Sequence, residues 1–165
     1  YPLHPLTALL LPYLCQKLAQ NERTLYSFLG SKEEFGFEDA TKQITDISQY
    51  IDPDTVFDYF ITNQSSVVSD NTTHRRWAEV ISALERLGNN VPSSVIKLLK
   101  LIGLFNIVGS KGKFKPSANI LKTIYADPKQ YEDDISHLVS KSIVTYRRFN
   151  DEYRVWQGSD FELEE

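Results

Sequence analysis

Residues 127–158 have the sequence DPKQYEDDISHLVSKSIVTYRRFNDEYRVWQG, in which a helix pattern is followed directly by two strand patterns. Asp127 and Pro128 suit the N-cap and the first position of a helix, and apolar side chains recur at helical spacing as far as Val139. β-Branched and aromatic residues then dominate two runs on either side of Asn150-Asp151, a pair that tolerates positive φ. The stretch therefore predicts a helix followed by a β-hairpin.

Two further helices are predicted immediately before this stretch. A largely apolar helix opens at Pro92, and a shorter one opens at Pro116. Phe114 lies between them and is placed to form a one-residue β-bridge. The order helix, bridge, helix, helix, strand, turn, strand predicts a winged-helix domain over residues 92–158.

The first part of the chain, residues 1–91, also carries mostly helix signals. Its first helix contains Pro12, which should kink or divide it. Residues 31–43 are rich in charged side chains, which favours a loop. A short helix is predicted within residues 40–50. A clear amphipathic helix then ends at Gly88. The predicted fold class is mainly α: a helical, lid-like module followed by a winged helix with a small β-hairpin.

Charge is distributed unevenly over the 165 residues, whose formal net charge is −4. Residues 1–91 carry 7 basic and 12 acidic side chains, whereas residues 92–157 carry 11 basic and 6 acidic ones. Residues 159–165 form an acidic tail, which we expect to lead into a further segment. The net charge argues against indiscriminate binding to nucleic acid. The excess of basic residues in the second part is nevertheless compatible with a local binding site for nucleic acid there.

The composition also indicates the cellular compartment of the chain and its relation to a longer protein. Cys15 is the single cysteine, so an internal disulfide is impossible and a cytoplasmic location is expected. No apolar run is long enough to cross a bilayer, so no membrane contact is expected. The chain has no methionine and begins with Tyr1, which predicts that it is a piece of a longer protein.

The third helix of the predicted winged helix carries Glu132, Asp133 and Asp134 on the face expected to be exposed. Three carboxylates would oppose the phosphates of a duplex, so we predict that this face contacts protein. Basic side chains elsewhere offer a candidate edge for nucleic acid through the wing, the alternative being an ordinary solvated surface. These are Lys111, Lys113, Lys115, Arg147, Arg148 and Arg154.

Catalytic motifs are not predicted. Residues 109–113 have the sequence GSKGK, but a Walker A loop needs four residues between its glycines and a Ser or Thr after the lysine. The three histidines have no spacing typical of metal ligands. We therefore expect a chain that is not an enzyme, with no metal and no cofactor of its own.

Arg23 occupies the first turn of a predicted helix, where the helix dipole favours acids. It is therefore either a surface residue paired with Glu22 or Asp46, or a residue aimed at an anion outside its own module. A phosphate held by a neighbouring domain would suit its guanidinium group.

Several short segments resemble the region that follows the nucleotide-binding core in large bacterial P-loop ATPases of the AAA+/STAND kind, some of which occur in anti-phage systems such as BREX. The segments are YPLHPL (1–6), QNERTL (20–25), FDYF (57–60), and YRRF to YRVWQGSD (146–160). The resemblance implies a helical lid over residues 1–91, a winged helix over 92–158, and Arg23 as a sensor 2-like contact to the γ-phosphate of ATP. It also implies ATP and Mg²⁺ for the parent protein, although this chain departs from the family pattern by lacking Walker A, Walker B and sensor 1 segments.

The expected function is that of a non-catalytic regulatory or interaction fragment. Its partners would be its own ATPase core and neighbouring domains, and the winged helix would relay the nucleotide state. The alternative is a winged-helix DNA-binding module whose N-terminal helices mediate dimerisation.

Overall fold

The computed structural model describes residues 2–19, 23–30, 32–63, 71–109 and 115–156, which are mainly helical with one two-stranded antiparallel sheet. The helices are α1 (Pro5–Ala19), α2 (Arg23–Gly30), α3 (Phe37–Thr41), α4 (Pro53–Asn63), α5 (Asn71–Leu87), α6 (Ser93–Val108), α7 (Ala118–Leu121) and α8 (Pro128–Ser140). A 3-10 turn, Lys122–Ile124, follows α7, and the strands β1 (Val144–Arg147) and β2 (Glu152–Val155) follow α8. The prediction of a mainly α chain with a small β-hairpin is confirmed.

The chain divides into two compact units, Tyr1–His74 and Arg75–Glu165. The predicted boundary at residue 91 lies after α5, whereas this division places most of α5 in the second unit. The reason is packing, because Val80 of α5 lies directly against Gly103 of α6. The acidic tail predicted for residues 159–165 lies outside the described residues.

The core of the first unit is built from aromatic and apolar side chains of α1, α2 and α4. Leu14, Phe28, Phe57, Tyr59 and Phe60 are each at most 1% exposed. The rings of Phe28 and Tyr59 meet edge to face with their centroids 5.1 Å apart. Such a pair contributes about 0.5–1.5 kcal/mol beyond the burial of its area.

The N-terminal residues of this unit are joined to the chain before α4. Leu3 forms a parallel β-bridge with Ile51, and the His4 N–H donates to the Ile51 carbonyl at 3.1 Å. The imidazole Nδ1 of His4 accepts from the N–H of Leu6 at 3.1 Å. His4 therefore satisfies one of the free N–H groups at the start of α1.

Two local predictions in the first unit need correction. Pro12 does not divide α1, which continues from Pro5 to Ala19, since Pro12 is exposed and water can reach the carbonyl that loses its helix partner. The short helix predicted within residues 40–50 is wrong, and a helix instead spans Phe37–Thr41. That helix has two acids in its first turn, which the helix dipole favours, whereas Ile47 is 81% exposed and anchors nothing.

The second unit is built around α6. Eleven of its sixteen residues are buried, including every residue from Leu101 to Val108. This near-continuous burial is typical of a helix enclosed on all sides. Gly103 allows α5 to cross closely, because a Cβ at that position would lie 2.6 Å from one methyl group of Val80 and 2.8 Å from the other.

Both ends of α8 are capped. The Asp127 carboxylate accepts from a backbone N–H of the first turn at 3.0 Å, as the sequence predicts. At the other end Ser142 has φ 57°, and the N–H groups of Ser142 and Ile143 donate to the carbonyls of Val139 and Leu138, each at 3.0 Å. This is a Schellman motif with serine in the left-handed position that glycine usually occupies.

The hairpin pairs Val144 with Val155 and Arg147 with Glu152. This register leaves a four-residue loop, longer than the predicted two-residue turn at Asn150-Asp151. Of that pair only Asp151 takes a positive φ, 51°. A type I′ turn would need positive φ at both central residues.

The outer edge of β2 is also occupied. The Tyr153 N–H donates to the carbonyl of Pro116 at 3.0 Å. The predicted β-bridge at Phe114 lies outside the described residues. Asn106 of α6 covers the next part of the edge, with its Oδ1 accepting from Val155 N at 2.8 Å.

In the part of the chain that the structure describes, no helix combines the length and apolar character required to cross a bilayer.

Candidate functional site

Among the described residues of the second unit, the most exposed aromatic side chain lies at the tip of the hairpin. Phe149 is 77% exposed, and Arg148 beside it is also exposed. Tyr146, at the end of β1, is 42% exposed. Burial of a large apolar side chain against a partner is favourable, and the neighbouring Arg would add a positive charge to such a contact.

Contacts within the tip hold this loop in place. The Tyr146 hydroxyl donates to the Asp151 carboxylate at 2.7 Å. That hydrogen bond is the main cause of a raised pKa for Tyr146. The rings of Tyr146 and Tyr153 lie with their centroids 4.9 Å apart, and the Asp151 N–H donates to the Arg148 carbonyl at 3.3 Å.

The six predicted basic residues are only partly brought together. Arg147 and Arg148 lie next to each other in the hairpin, Arg147 half-buried and Arg148 exposed. Arg154 is half-buried and lies 3.9 Å from Glu152, so its charge is partly neutralised. Lys115 is exposed, next to the Pro116 carbonyl that bonds β2. Lys111 and Lys113 lie outside the described residues.

The predicted acidic face of α8 is smaller than expected. Glu132 and Asp133 are exposed, and the Glu132 carboxylate lies 3.7 Å from the ammonium group of Lys122. Asp134 was predicted to belong to this face, but it is only 2% exposed. The prediction was wrong for Asp134 because that residue follows Tyr131 at helical spacing and lies on the buried side of α8.

Asp134 is buried with two hydrogen-bond donors. Tyr125 donates to one carboxylate oxygen at 2.7 Å, and the Gln130 amide donates to the other at 2.8 Å. Burial, followed by the hydrogen bond to Asp134, raises the pKa of Tyr125 well above its ordinary value. Val139, predicted to be inward, is 43% exposed, so that prediction was wrong.

Arg23 is the first residue of α2. Its side chain lies outside the described residues, so its contact with an anion stays a prediction. Arg23 belongs to the first unit and the hairpin to the second.

Asn106 was missed by the sequence interpretation. It is 8% exposed, its Oδ1 accepts from Val155 N, and its Nδ2 donates to the Tyr153 carbonyl at 3.2 Å. A signal was present, because Asn106 is the uncharged polar residue in the apolar run LKLIGLFNIV. A buried amide in such a run needs partners, which in this fold are backbone groups of β2.

Among the described residues, no group of three or more His, Cys, Asp or Glu side chains could hold a metal ion. Comparison of the chain with protein-family models, with curated proteins and with solved structures finds no match.

Proposed function

We propose that residues 92–158 are a winged-helix module that binds duplex nucleic acid through the tip of its hairpin. The observation that carries the proposal is Phe149, which is 77% exposed beside the exposed Arg148. An arginine neutralises a backbone phosphate, and an apolar side chain can enter between base steps in the minor groove. The proposal assigns binding to this chain and no chemistry of its own.

Two further features support this proposal. The hydrogen bond between Tyr153 and Pro116 gives β2 a partner on its outer edge, as expected where the segment after the first helix of a winged helix joins the sheet. Residues 92–157 carry 11 basic and 6 acidic side chains, an excess that attracts phosphates. A cytoplasmic location is part of the proposal, because the single cysteine is a buried free thiol.

We propose the hairpin tip, rather than α8, as the contact with nucleic acid because α8 exposes negative charge. Glu132 and Asp133 are exposed on α8 and would approach phosphates if that helix entered the major groove. The Glu132 carboxylate lies 3.7 Å from the ammonium group of Lys122, whereas no such ion pair involves Asp133 among the described residues. At the tip, the carboxylate of Asp151 already accepts a hydrogen bond from Tyr146.

The test is a fluorescence-anisotropy titration of a labelled DNA duplex of about 20 base pairs, at salt concentrations from about 50 to about 200 mM. Arg148→Ala should weaken binding and lower the slope of log K against log salt by about 1. Phe149→Ala should weaken binding about tenfold or more while leaving that slope unchanged. Lys32→Ala, which removes an exposed charge from the first unit, is the matched control.

Equal effects of Arg148→Ala and Lys32→Ala would contradict the tip as the contact. Absence of duplex binding at the lowest salt concentration would contradict the proposal as a whole.

A second candidate is a protein-contact role in a larger P-loop ATPase, as the family resemblance implies. The observation that favours it is the exposed surface of α8, where Glu132 and Asp133 are accompanied by Val139, 43% exposed. In this candidate the chain would relay nucleotide state by contacting the ATPase core differently in its ATP and ADP forms.

The second candidate predicts that the isolated chain does not bind ATP, because the nucleotide core would be supplied elsewhere. Isothermal titration with ATP and Mg²⁺ tests this expectation. Affinity in the micromolar range would exclude a lid role for residues 1–91. Addition of the separate ATPase core should instead give ATP binding that Arg23→Ala weakens.

A further inference from the structure

A pocket of about 400 Å³ lies in the second unit, at the base of the hairpin where α5 and α8 end. Its volume is in the range of small-molecule sites. The lining residues come from the end of α5 and the segment after it, from the end of α8, and from the residue before β1. They are Arg86, Leu87, Asn90, Val91, His137, Lys141 and Ile143.

The charged side chains of this lining are all basic. Arg86 and Lys141 bring two cations from different helices, His137 adds an imidazole, and the lining includes no carboxylate. An isolated pair of cations repels, so two of them converging on one pocket favour an anion between them. The pocket therefore has the electrostatics of an anion site.

Arg86 is held in position by a contact at the hairpin base. Its Nη2 donates to the Trp156 carbonyl at 2.8 Å. A guanidinium group has five N–H donors, so the others are left to serve a ligand. Lys141 is exposed and His137 is half-buried, which leaves both within reach of a molecule entering from solvent.

Several backbone carbonyls at the helix ends beside the pocket accept hydrogen bonds within the chain. The carbonyl of His137 accepts from Lys141 N at 3.1 Å, and that of Leu138 accepts from Ile143 N at 3.0 Å. On α5 the carbonyl of Leu84 accepts from the N–H of the residue after the helix at 3.1 Å. Each of these three carbonyls is thereby less able to repel an anion, while Arg86 and Lys141 supply positive charge.

The rest of the lining is largely apolar. Leu87 and Val91 are half-buried, and Ile143 is 3% exposed. Such a wall suits a ligand with an apolar body, while Asn90 adds a neutral amide. Inorganic phosphate alone would leave this wall uncovered.

We infer that this pocket binds a small organic phosphate monoester, with its phosphate between Arg86 and Lys141 and its apolar part against Leu87, Val91 and Ile143. A phosphate dianion matches two converging cations better than a single carboxylate does. The inference does not depend on binding of nucleic acid at the tip, because the pocket is lined by Ile143, the residue before β1, and so lies at the opposite end of the hairpin.

Phenyl phosphate is the probe for this site, with inorganic phosphate, benzoate and benzyl alcohol as comparisons. Binding to the full chain is measured by isothermal titration and by backbone amide NMR shifts. We expect phenyl phosphate to bind most tightly and to shift the amides of Asn90, Val91 and Ile143. Equal affinity for inorganic phosphate, or shifts confined to other residues, would overturn the inference.

Lys141→Gln should weaken phenyl phosphate about tenfold or more, since it removes a charge-assisted hydrogen bond. Lys129→Gln removes an exposed charge from the opposite end of the same helix and is the matched control. Arg148→Ala, at the hairpin tip, should leave the affinity unchanged even if duplex binding is lost. An unchanged affinity in Lys141→Gln with the fold intact by circular dichroism would refute the site.

Discussion

The amide oxygen of Asn106 accepts a hydrogen bond from the backbone N–H of Val155 at 2.8 Å. The amide nitrogen of Asn106 donates to the Tyr153 carbonyl at 3.2 Å, so this helix side chain is a second partner of the outer edge of β2, beside the Pro116 carbonyl. Edge strands leave N–H and C=O groups unpaired unless something covers them. Here the central helix covers the edge and links the hairpin to the core of the unit.

Asn106→Leu should lower the free energy of unfolding by about 2 kcal/mol or more, because it leaves the Val155 N–H and the Tyr153 carbonyl without their partner. Urea denaturation followed by circular dichroism measures the change. Asn119→Leu is the matched control, since Asn119 is exposed on α7, and its effect should stay within about 0.5 kcal/mol. Similar effects at the two positions would show that the bonds to β2 contribute little.

Gly103→Ala should destabilise the protein, although alanine favours a helix by about 1 kcal/mol over glycine. The added Cβ would lie 2.6 Å and 2.8 Å from the two methyl groups of Val80, and such overpacking costs about 1–3 kcal/mol. A double-mutant cycle with Val80→Ala provides the check. In the Val80→Ala background the same glycine substitution should be neutral or stabilising, and a persistent loss would contradict the close crossing.

Tyr125→Phe and Tyr146→Phe remove hydrogen bonds of equal length, 2.7 Å, from tyrosine to aspartate. The acceptor of Tyr125 is the buried Asp134, whereas Tyr146 and Asp151 are exposed. Loss of the buried bond should cost about 1.5–3 kcal/mol, while water replaces the exposed one at a cost below about 0.5 kcal/mol. Thermal or urea unfolding of both variants tests the difference, and equal costs would argue against a structural role for Asp134.

Burial raises the pKa of the Cys15 thiol from its ordinary value of 9.0 to about 11. The unfolded chain therefore loses this proton at lower pH than the folded chain. The stability that this thiol contributes is complete below about pH 9 and is lost as the pH rises through about 11. The free energy of unfolding should fall more steeply between about pH 9 and about pH 11 in the natural chain than in Cys15→Ala, and parallel profiles would contradict this linkage.

Local sequence signals predicted several features well. Asp127 caps α8, and apolar spacing marked the helix and the two strands that follow it. Each of these signals acts over a few residues, through a cap, a helical period or alternation along a strand. The hairpin loop was predicted two residues too short. The sequence pattern showed which residues tolerate positive φ, but it did not show that Arg147 and Glu152 are the last cross-strand pair.

The candidate site was harder to predict. Asp134 was assigned to an exposed face because of its charge, although its spacing from Tyr131 gave it a buried position, where Tyr125 and Gln130 donate to it. The exposed Phe149 was included in a strand pattern, since an aromatic residue there favours a strand as readily as a loop tip.

The amino-acid sequence by itself determined the mainly α class, the order of the C-terminal helices and hairpin, and the N-cap of α8. Only the tertiary structure decided that Asn106 covers β2, that Val80 meets Gly103, and that Arg86 reaches the hairpin base. The physical reason is the distance along the chain over which each kind of interaction acts. Caps and periodicity act within one or two helical turns, whereas the bond from Asn106 to Val155 spans 49 positions and that from Arg86 to Trp156 spans 70. Such contacts form only when the helices pack. A buried polar group that has no hydrogen-bond partner nearby in the sequence then finds one on another element.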